Sequence, residues 1–249
     1  MNEHPSSKVP EVTLIFWIIK IAATTLGETG GDAVSMSMNL GYLVGTAIFA
    51  TVFIGAVIFQ IQVKRFHPFI YWATIIASTT VGTTLADYAD RSLGIGYAGG
   101  SLLLFTLLMA SLFTWHRSLG TISVASVNSP RAEMFYWLTI MFSQTLGTAL
   151  GDWTADTSGL GYIGAAILFS ILLALVVAVY LWTNISRTLL FWAAFVLTRP
   201  LGAVVGDFLD KPISAGGLAL SRYSATAALL MFIVICIVVF PQKAATKGH

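Results

Sequence analysis

Apolar runs recur along the whole chain, separated by short polar breaks. Leu102–Ser111, Ile163–Leu181 and Ala227–Phe240 contain no charged residue. A helix needs about 20 apolar residues to cross a bilayer, and residues 12–240 hold about eight such passes joined by short turns. The pattern predicts helices at roughly 12–31, 40–62, 68–87, 94–115, 133–152, 160–182, 187–207 and 216–240. These helices are apolar nearly all round, so periodicity alone does not rank their faces.

A repeat underlies the pattern. Trp17, Trp72, Trp137 and Trp192 are spaced by 55, 65 and 55 residues. Eight residues after each comes Thr25-Leu-Gly27, Thr80-Val-Gly82, Thr145-Leu-Gly147 or Pro200-Leu-Gly202. Five residues beyond each glycine stands an aspartate, Asp32, Asp87, Asp152 or Asp207, preceded by Gly31, Ala86, Gly151 or Gly206. Nine residues further comes Gly41, Gly96, Gly161 or Gly216. Repeats one and two map onto three and four with a constant offset of 120, so the longer His116–Ala132 connection joins two similar halves. Each repeat carries two apolar segments, an even number, and successive repeats therefore enter the membrane from the same side. The expected architecture is an all-α membrane protein of about eight transmembrane helices, with four parallel repeats at about 12–63, 68–115, 133–183 and 187–240.

Lys and Arg set the expected orientation. Lys8, Lys64, Arg65, Arg117, Arg131, Arg187, Lys243 and Lys247 fall on one side; Arg91, Lys211 and Arg222 fall on the other, the first two beside aspartates. Both termini are therefore expected in the cytoplasm, with 1–11 and 241–249 as tails around one transmembrane domain, 12–240. Met1–Glu11 lacks the features of a cleaved signal peptide. Composition agrees with a lipid-embedded chain: 57% hydrophobic, 10% charged and a mean hydropathy of +0.84, against about 25% charged in soluble domains. The net charge of +2 and the lack of a basic stripe argue against a nucleic-acid partner. The expected partners are the bilayer and a small substrate, and a homo-oligomer is compatible with the sequence.

Eight of the eleven carboxylates form one pair per repeat: Glu28/Asp32, Asp87/Asp90, Asp152/Asp156 and Asp207/Asp210. Spacings of three or four put both members of a pair on one helix face. From Trp to Asp is 15 residues, about 22 Å of helix, which sets the aspartates in the far third of the membrane or at its edge. Carboxylates there are costly unless they meet water, a cation or another polar group. Small residues four apart, Gly27/Gly31, Gly82/Ala86, Gly147/Gly151 and Gly202/Gly206, allow close helix approach and would bring the four acidic pairs around one axis. The leading expectation is a transporter for a hard divalent cation such as Mn²⁺, Mg²⁺ or Ca²⁺, bound by oxygen ligands alone. Crowded carboxylates would also exchange protons. Thr25, Thr80, Gln144 and Thr145 would line the polar path. His4, His67, His116 and His249 sit at ends or loops and Cys236 is alone, which removes zinc, copper and bis-histidine haem sites. No cofactor is expected beyond a transported cation.

Three alternatives stay open: a transporter of an organic or cationic small molecule, a membrane scaffold or regulatory protein, and acidic pairs that only cap helices. An enzyme is not expected, because the Gly-x-Gly-Asp, Gly-x-Ser-x-Gly and His-Glu-x-x-His motifs are missing. Arg199 lies twelve residues past Arg187, about 18 Å along its helix, and is expected to pair with an acidic residue of a neighbouring repeat as a gate or countercharge. Lys20, three residues past Trp17, fits either such a role or snorkelling toward the cytoplasm. The repeat tryptophans, with Trp115 and Trp182, are expected as interfacial anchors, and Trp153 on the opposite side.

The four Trp-x7-[Thr/Pro]-x-Gly-x3-small-Asp units resemble a bacterial family of integral membrane proteins, labelled "membrane-anchored protein", with four tandem two-helix repeats of unknown function and a characteristic tryptophan in each. The resemblance covers about residues 12–240 and implies the eight-helix architecture and a bacterial inner-membrane location, with no implied activity. Repeat four departs from it at Pro200 and Gly217, and Pro200 is expected to kink its helix just after Arg199.

Overall fold

The computed structural model describes residues 7–246. Glu3, His4, Lys247 and His249, placed by sequence in the terminal tails, lie outside the described residues. Eight long helices occur in order: α1 (Leu14–Asp32), α2 (Tyr42–Gln62), α3 (Pro68–Asp87), α4 (Tyr97–Leu119), α5 (Pro130–Asp152), α6 (Gly161–Trp182), α7 (Arg187–Asp210) and α8 (Arg222–Val239). Six of them, α2, α3, α4, α6, α7 and α8, are long and apolar enough to cross a membrane. The other two, α1 and α5, take the same places in their repeats as α3 and α7.

The repeats build two concentric layers. Odd helices form a closed inner ring in which α1 packs on α3, α3 on α5, α5 on α7 and α7 on α1. Even helices lie outside, and each rests mainly on the odd helix of the next repeat: α2 on α3, α4 on α5, α6 on α7, and α8 back on α1. The repeat in the sequence is therefore not the packing unit in space. Outer helices turn Val52, Ile58, Leu102, Phe113, Leu175 and Val238 outward, as lipid requires.

Small residues make the inner ring tight. A Cβ added at Gly27 would run into Thr79, at Gly82 it would come within 3.0 Å of the Gln144 backbone, and at Gly147 it would strike Arg199. At Gly202 it would strike Thr24 and lie 2.9 Å from that residue's backbone. Each glycine thus meets the residue seven positions after the next repeat's tryptophan, and the fourth meets the first. Gly31, Gly151 and Gly206 make the same contact one turn further on, against Thr83, Ala203 and Glu28.

The ends differ. After Asp32, Asp87 and Asp152 the helix widens into a π turn, Ala33–Ser37, Tyr88–Ser92 and Trp153–Thr157. In repeat four, α7 instead continues through Pro200 without a break to Asp210, and Pro212 stops it. The following Gly216 adopts φ +86°, and α8 starts only at Arg222, six residues later than the hydropathy pattern predicts. Gly41, Gly96 and Gly161 also have positive φ, between 63° and 77°, where a side chain is strained.

At the tryptophan end the expected interfacial belt is mostly a core. Trp72, Trp115, Trp137 and Trp192 are buried, and Trp182 is exposed. The cause is the aromatic residue preceding each repeat tryptophan: Phe16, Tyr71, Tyr136 and Phe191 fill the ring's axis, and the Tyr71 and Tyr136 hydroxyls share a 2.6 Å hydrogen bond. Residues 7–11 close this end instead of trailing as a tail. Lys8 N donates to Val127 O at 2.8 Å, Ala245 N to Val9 O at 2.8 Å and Glu11 N to Lys243 O at 2.8 Å. Lys8 Nζ lies 2.6 Å from Glu133, and Val9 is buried in the core.

Replacing Gly202 by Ala forces the α1–α7 contact apart and is expected to lower stability by about 1–3 kcal/mol. Gly30→Ala, whose added methyl would sit 3.6 Å from its nearest neighbour, Thr226, should be neutral or stabilising. Thermal unfolding of the two purified variants checks the contrast.

Candidate functional site: a charged axis through the inner ring

Residues four apart on the odd helices stack into layers along the ring's axis. Below the aromatic layer come Lys20, Ile75, Ile140 and Phe195, then Thr24, Thr79, Gln144 and Arg199, then Glu28, Thr83, Thr148 and Ala203, and last Asp32, Asp87, Asp152 and Asp207. All are buried.

Lys20 does not snorkel. It is fully buried, because its repeat position points at the axis where the other repeats carry Ile75, Ile140 and Phe195. Its Nζ sits 4.1 Å from the centre of the Phe195 ring and has no hydrogen-bond partner. One layer on, Arg199 is also fully buried, and its Nη2 lies 3.0 Å from Glu28 Oε2. The same nitrogen donates to the hydroxyls of Thr83 and Thr148. Glu28 accepts a further bond from Thr83 at 3.2 Å. Arg199 therefore joins all four inner helices.

The four repeat aspartates form a ring closed by two other cations. Arg91 Nε lies 3.0 Å from Asp87 and its Nη2 3.2 Å from Asp152. Lys211 Nζ lies 2.6 Å from Asp32 and 3.0 Å from Asp207. Each cation bridges two repeats, and each stands four residues after its own aspartate. Burial alone works against the Lys211 charge, but Asp207, Asp32 and Asp210 outweigh it and hold the ammonium above the usual lysine range. Arg222 adds a third cation at the rim, 2.8 Å from Asp210 and 3.7 Å from Asp32.

The eight paired carboxylates are thus not equivalent. Glu28 and the four ring aspartates share the axis. Asp210 is buried at the rim with Arg222, Asp90 is half-buried, and exposed Asp156 accepts a bond from the Tyr97 hydroxyl at 3.3 Å. Two groups bring carboxylate oxygens within 4.8 Å of one another: Glu28, Asp152 and Asp207, and Asp32, Asp207 and Asp210. That separation fits oxygens around one hard cation, which coordinates at about 2.0–2.6 Å. Asp32 and Asp152 each retain a buried Oδ1 with no hydrogen-bond donor.

The threonines expected along a polar path turn away from it. Thr25, Thr80 and Thr145 bond back to the carbonyls of Ile21, Ile76 and Met141 on their own helices, at 2.8–3.0 Å. Gln144 does lie in the axial layer, where its Nε2 reaches Ser78 at 3.5 Å. Thr83 and Thr148, the hydroxyls that meet Arg199, are absent from the sequence-based expectation. The sequence does carry a signal for them: they stand four residues before Asp87 and Asp152, at the position Glu28 occupies in repeat one.

This geometry defines a class: an all-helical membrane fold of four tandem repeats arranged in two halves around a charged axis. The chain belongs to the family described as Repeat of Unknown Function (DUF347), whose model matches it four times, at residues 15–66, 70–121, 135–186 and 190–242. A search of curated proteins and one of solved structures found no significant match.

Removing one partner of a buried ion pair typically costs about 3–5 kcal/mol, because the other charge stays behind unpaired. Arg199→Met should lose stability on that scale and Glu28→Met nearly as much, while the double variant should recover a large part. A double-mutant cycle on thermal unfolding measures the coupling, and additive losses would deny it.

Proposed function

We propose that this protein is a cation transporter of the bacterial inner membrane, carrying a hard divalent ion such as Mn²⁺ along the axis of its inner ring. The observation that supports this reading best is the convergence of Glu28, Asp152 and Asp207, drawn from three repeats, with oxygens within 4.8 Å of one another at one end of a polar axis. Repeat symmetry explains why an aspartate recurs at this position. It does not explain Glu28, which occurs in one repeat and adds a third carboxylate beside Asp152 and Asp207.

The distribution of basic residues supports an orientation. Lys64, Arg65, Arg117, Arg131, Arg187 and Lys243 belong to the tryptophan end, which the positive-inside rule assigns to the cytoplasm. The aspartate ring then faces the opposite compartment. In this arrangement the ring is sealed from the cytoplasm by the Arg199–Glu28 layer and the aromatic layer, so passage requires these to rearrange in turn. Proton exchange at crowded carboxylates is the coupling reaction that such a site offers.

A larger organic substrate fits less well. A groove of about 390 Å³ between α1, α6 and α7 is lined by residues such as Trp17, Ile21, Leu173, Val177 and Phe191, an apolar surface suited to lipid. One observation favours a scaffold reading: every axial carboxylate already has a protein cation beside it.

Flux into proteoliposomes loaded with a metal-sensitive dye separates these readings. Mn²⁺, Mg²⁺ and Ca²⁺ are compared at two pH values. Wild type should show saturable uptake of at least one ion. Asp152→Asn should reduce it about tenfold or more, the scale expected when a buried site gives up one charged oxygen ligand. No flux from well-folded protein would transfer support to the scaffold.

A further inference from the structure

We propose that Arg91 and Lys211 are tethered counter-cations that occupy the aspartate ring when it is empty and give way together to one divalent ion, so that loading leaves the ring's charge unchanged. This rests on the cation-transport reading above and adds to it a mechanism of selectivity.

Three features carry the inference. The first is position. Arg91 and Lys211 stand at the same place in repeats two and four, where repeats one and three have Met36 and Asp156. These two cations therefore serve four aspartates, each dividing its charge between its own repeat and the next, with Arg222 standing further off, 3.7 Å from Asp32. The ring is split into two pairs, Asp87 with Asp152 and Asp207 with Asp32.

The second is freedom to move. The Arg91 side chain is 31% exposed and Lys211 13%, whereas Arg199 is sealed in the axis at 0%. Arg91 belongs to a π turn at the end of its helix, and Lys211 lies just past the last residue of α7, with an extended backbone. Both are long side chains at the rim and can swing outward into water without unfolding a helix. Arg199 has no such exit.

The third is the composition of the three-carboxylate group. Asp152 belongs to the Arg91 pair and Asp207 to the Lys211 pair, and Glu28 completes the group. An ion bound there takes one carboxylate from each rim cation, so it competes with both, and it shares Glu28 with Arg199, which stays in place. The buried Oδ1 of Asp152, which no donor reaches, is already available to it. Two single charges leave and one double charge enters. A monovalent ion can replace one cation with its charge balanced, but the other cation then still holds its half of the group; displacing both with a single monovalent ion leaves the ring one charge short. Selection of divalent over monovalent ions then follows because only a double charge frees both halves of the group with one ion and no loss of charge.

The test uses purified full-length protein in lipid nanodiscs, with Mn²⁺ as the probe. Free Mn²⁺ is read by electron paramagnetic resonance, and acylation of Lys211 by an amine-reactive ester is read by mass spectrometry. Saturating Mn²⁺ should raise Lys211 acylation several-fold at constant ionic strength, and K⁺ should not. Arg91→Gln and Lys211→Gln should each bind Mn²⁺ about tenfold tighter or more, while the charge-preserving Lys211→Arg keeps wild-type affinity. The acylation measurement needs no substitution, so it decides the matter even if a neutral variant fails to fold. If wild type binds Mn²⁺ and Asp152→Asn does not, yet Lys211 reactivity and the affinities of the neutral variants do not change, the exchange is refuted and the transport reading stands. Binding by the neutral variants but not by wild type would mean that the cations block the ring and do not yield, which also overturns the exchange. If neither wild type nor any variant binds, both ideas fall.

Discussion

Arg199 reaches from α7 into the middle of the inner ring, where its guanidinium meets Glu28 of α1 and the hydroxyls of Thr83 and Thr148. A single side chain thus holds all four inner helices at a depth where water is excluded. Desolvating two such charges costs several kcal/mol each, and their attraction offsets this only with good geometry and further hydrogen bonds. The surrounding layers supply those conditions. Close contact at Gly147 makes room for the Arg199 stem between helices, and Thr83 and Thr148 accept from its Nη2 beside Glu28. The fold is tight because its centre is charged, and the charge is tolerable because the fold is tight.

The aspartate ring meets the same constraint differently. Two carboxylates about 5 Å apart repel by roughly 3 kcal/mol at an effective dielectric constant of 20, and five of them share this axis. Arg91 and Lys211 relieve the repulsion from the rim, where they keep some contact with water. The central pair is fixed and the rim pairs are adjustable. That gradient from rigid to exchangeable runs along one axis in just over two helical turns of each odd helix, from the Arg199 layer to the aspartates. It gives the chain a structural core and a responsive end without a second domain.

The helices and repeats were legible because they rest on local rules. Apolar length marks a membrane helix, and a residue copied four times at fixed spacing marks a repeat. The shared axis was legible too, from small residues four apart preceding each aspartate. Partner identity was not. Arg91 stands beside Asp87 in sequence, but its second partner, Asp152, belongs to another repeat, and only the order of helices around the ring reveals it. The same holds for Lys211 with Asp32 and for Arg199 with Glu28. Lys20 was ambiguous because one helix viewed alone cannot say whether a lysine faces lipid or the axis. Its repeat equivalents, Ile75, Ile140 and Phe195, are apolar on either reading. The tryptophans misled for a related reason: an indole near a helix end suits an interface, and only the neighbouring aromatic residues pull it inward. The late start of α8 follows from Pro212 and Gly216, which act through backbone geometry that hydropathy does not register.

Each outer helix rests on the inner helix of the following repeat, and α8 returns to cover α1. This has a consequence for biosynthesis. As the chain emerges, every inner helix from α3 onward finds its outer cover already made, while α1 waits for the last helix of all. Until α7 and α8 arrive, Glu28 has no guanidinium, Asp32 has no ammonium, and one whole side of α1 stands open to lipid or to the insertion machinery. The ring therefore closes as a single final event. A chain truncated anywhere before its last quarter is left with unpaired charge in its first helix, a feature by which membrane quality control could recognise an unfinished product.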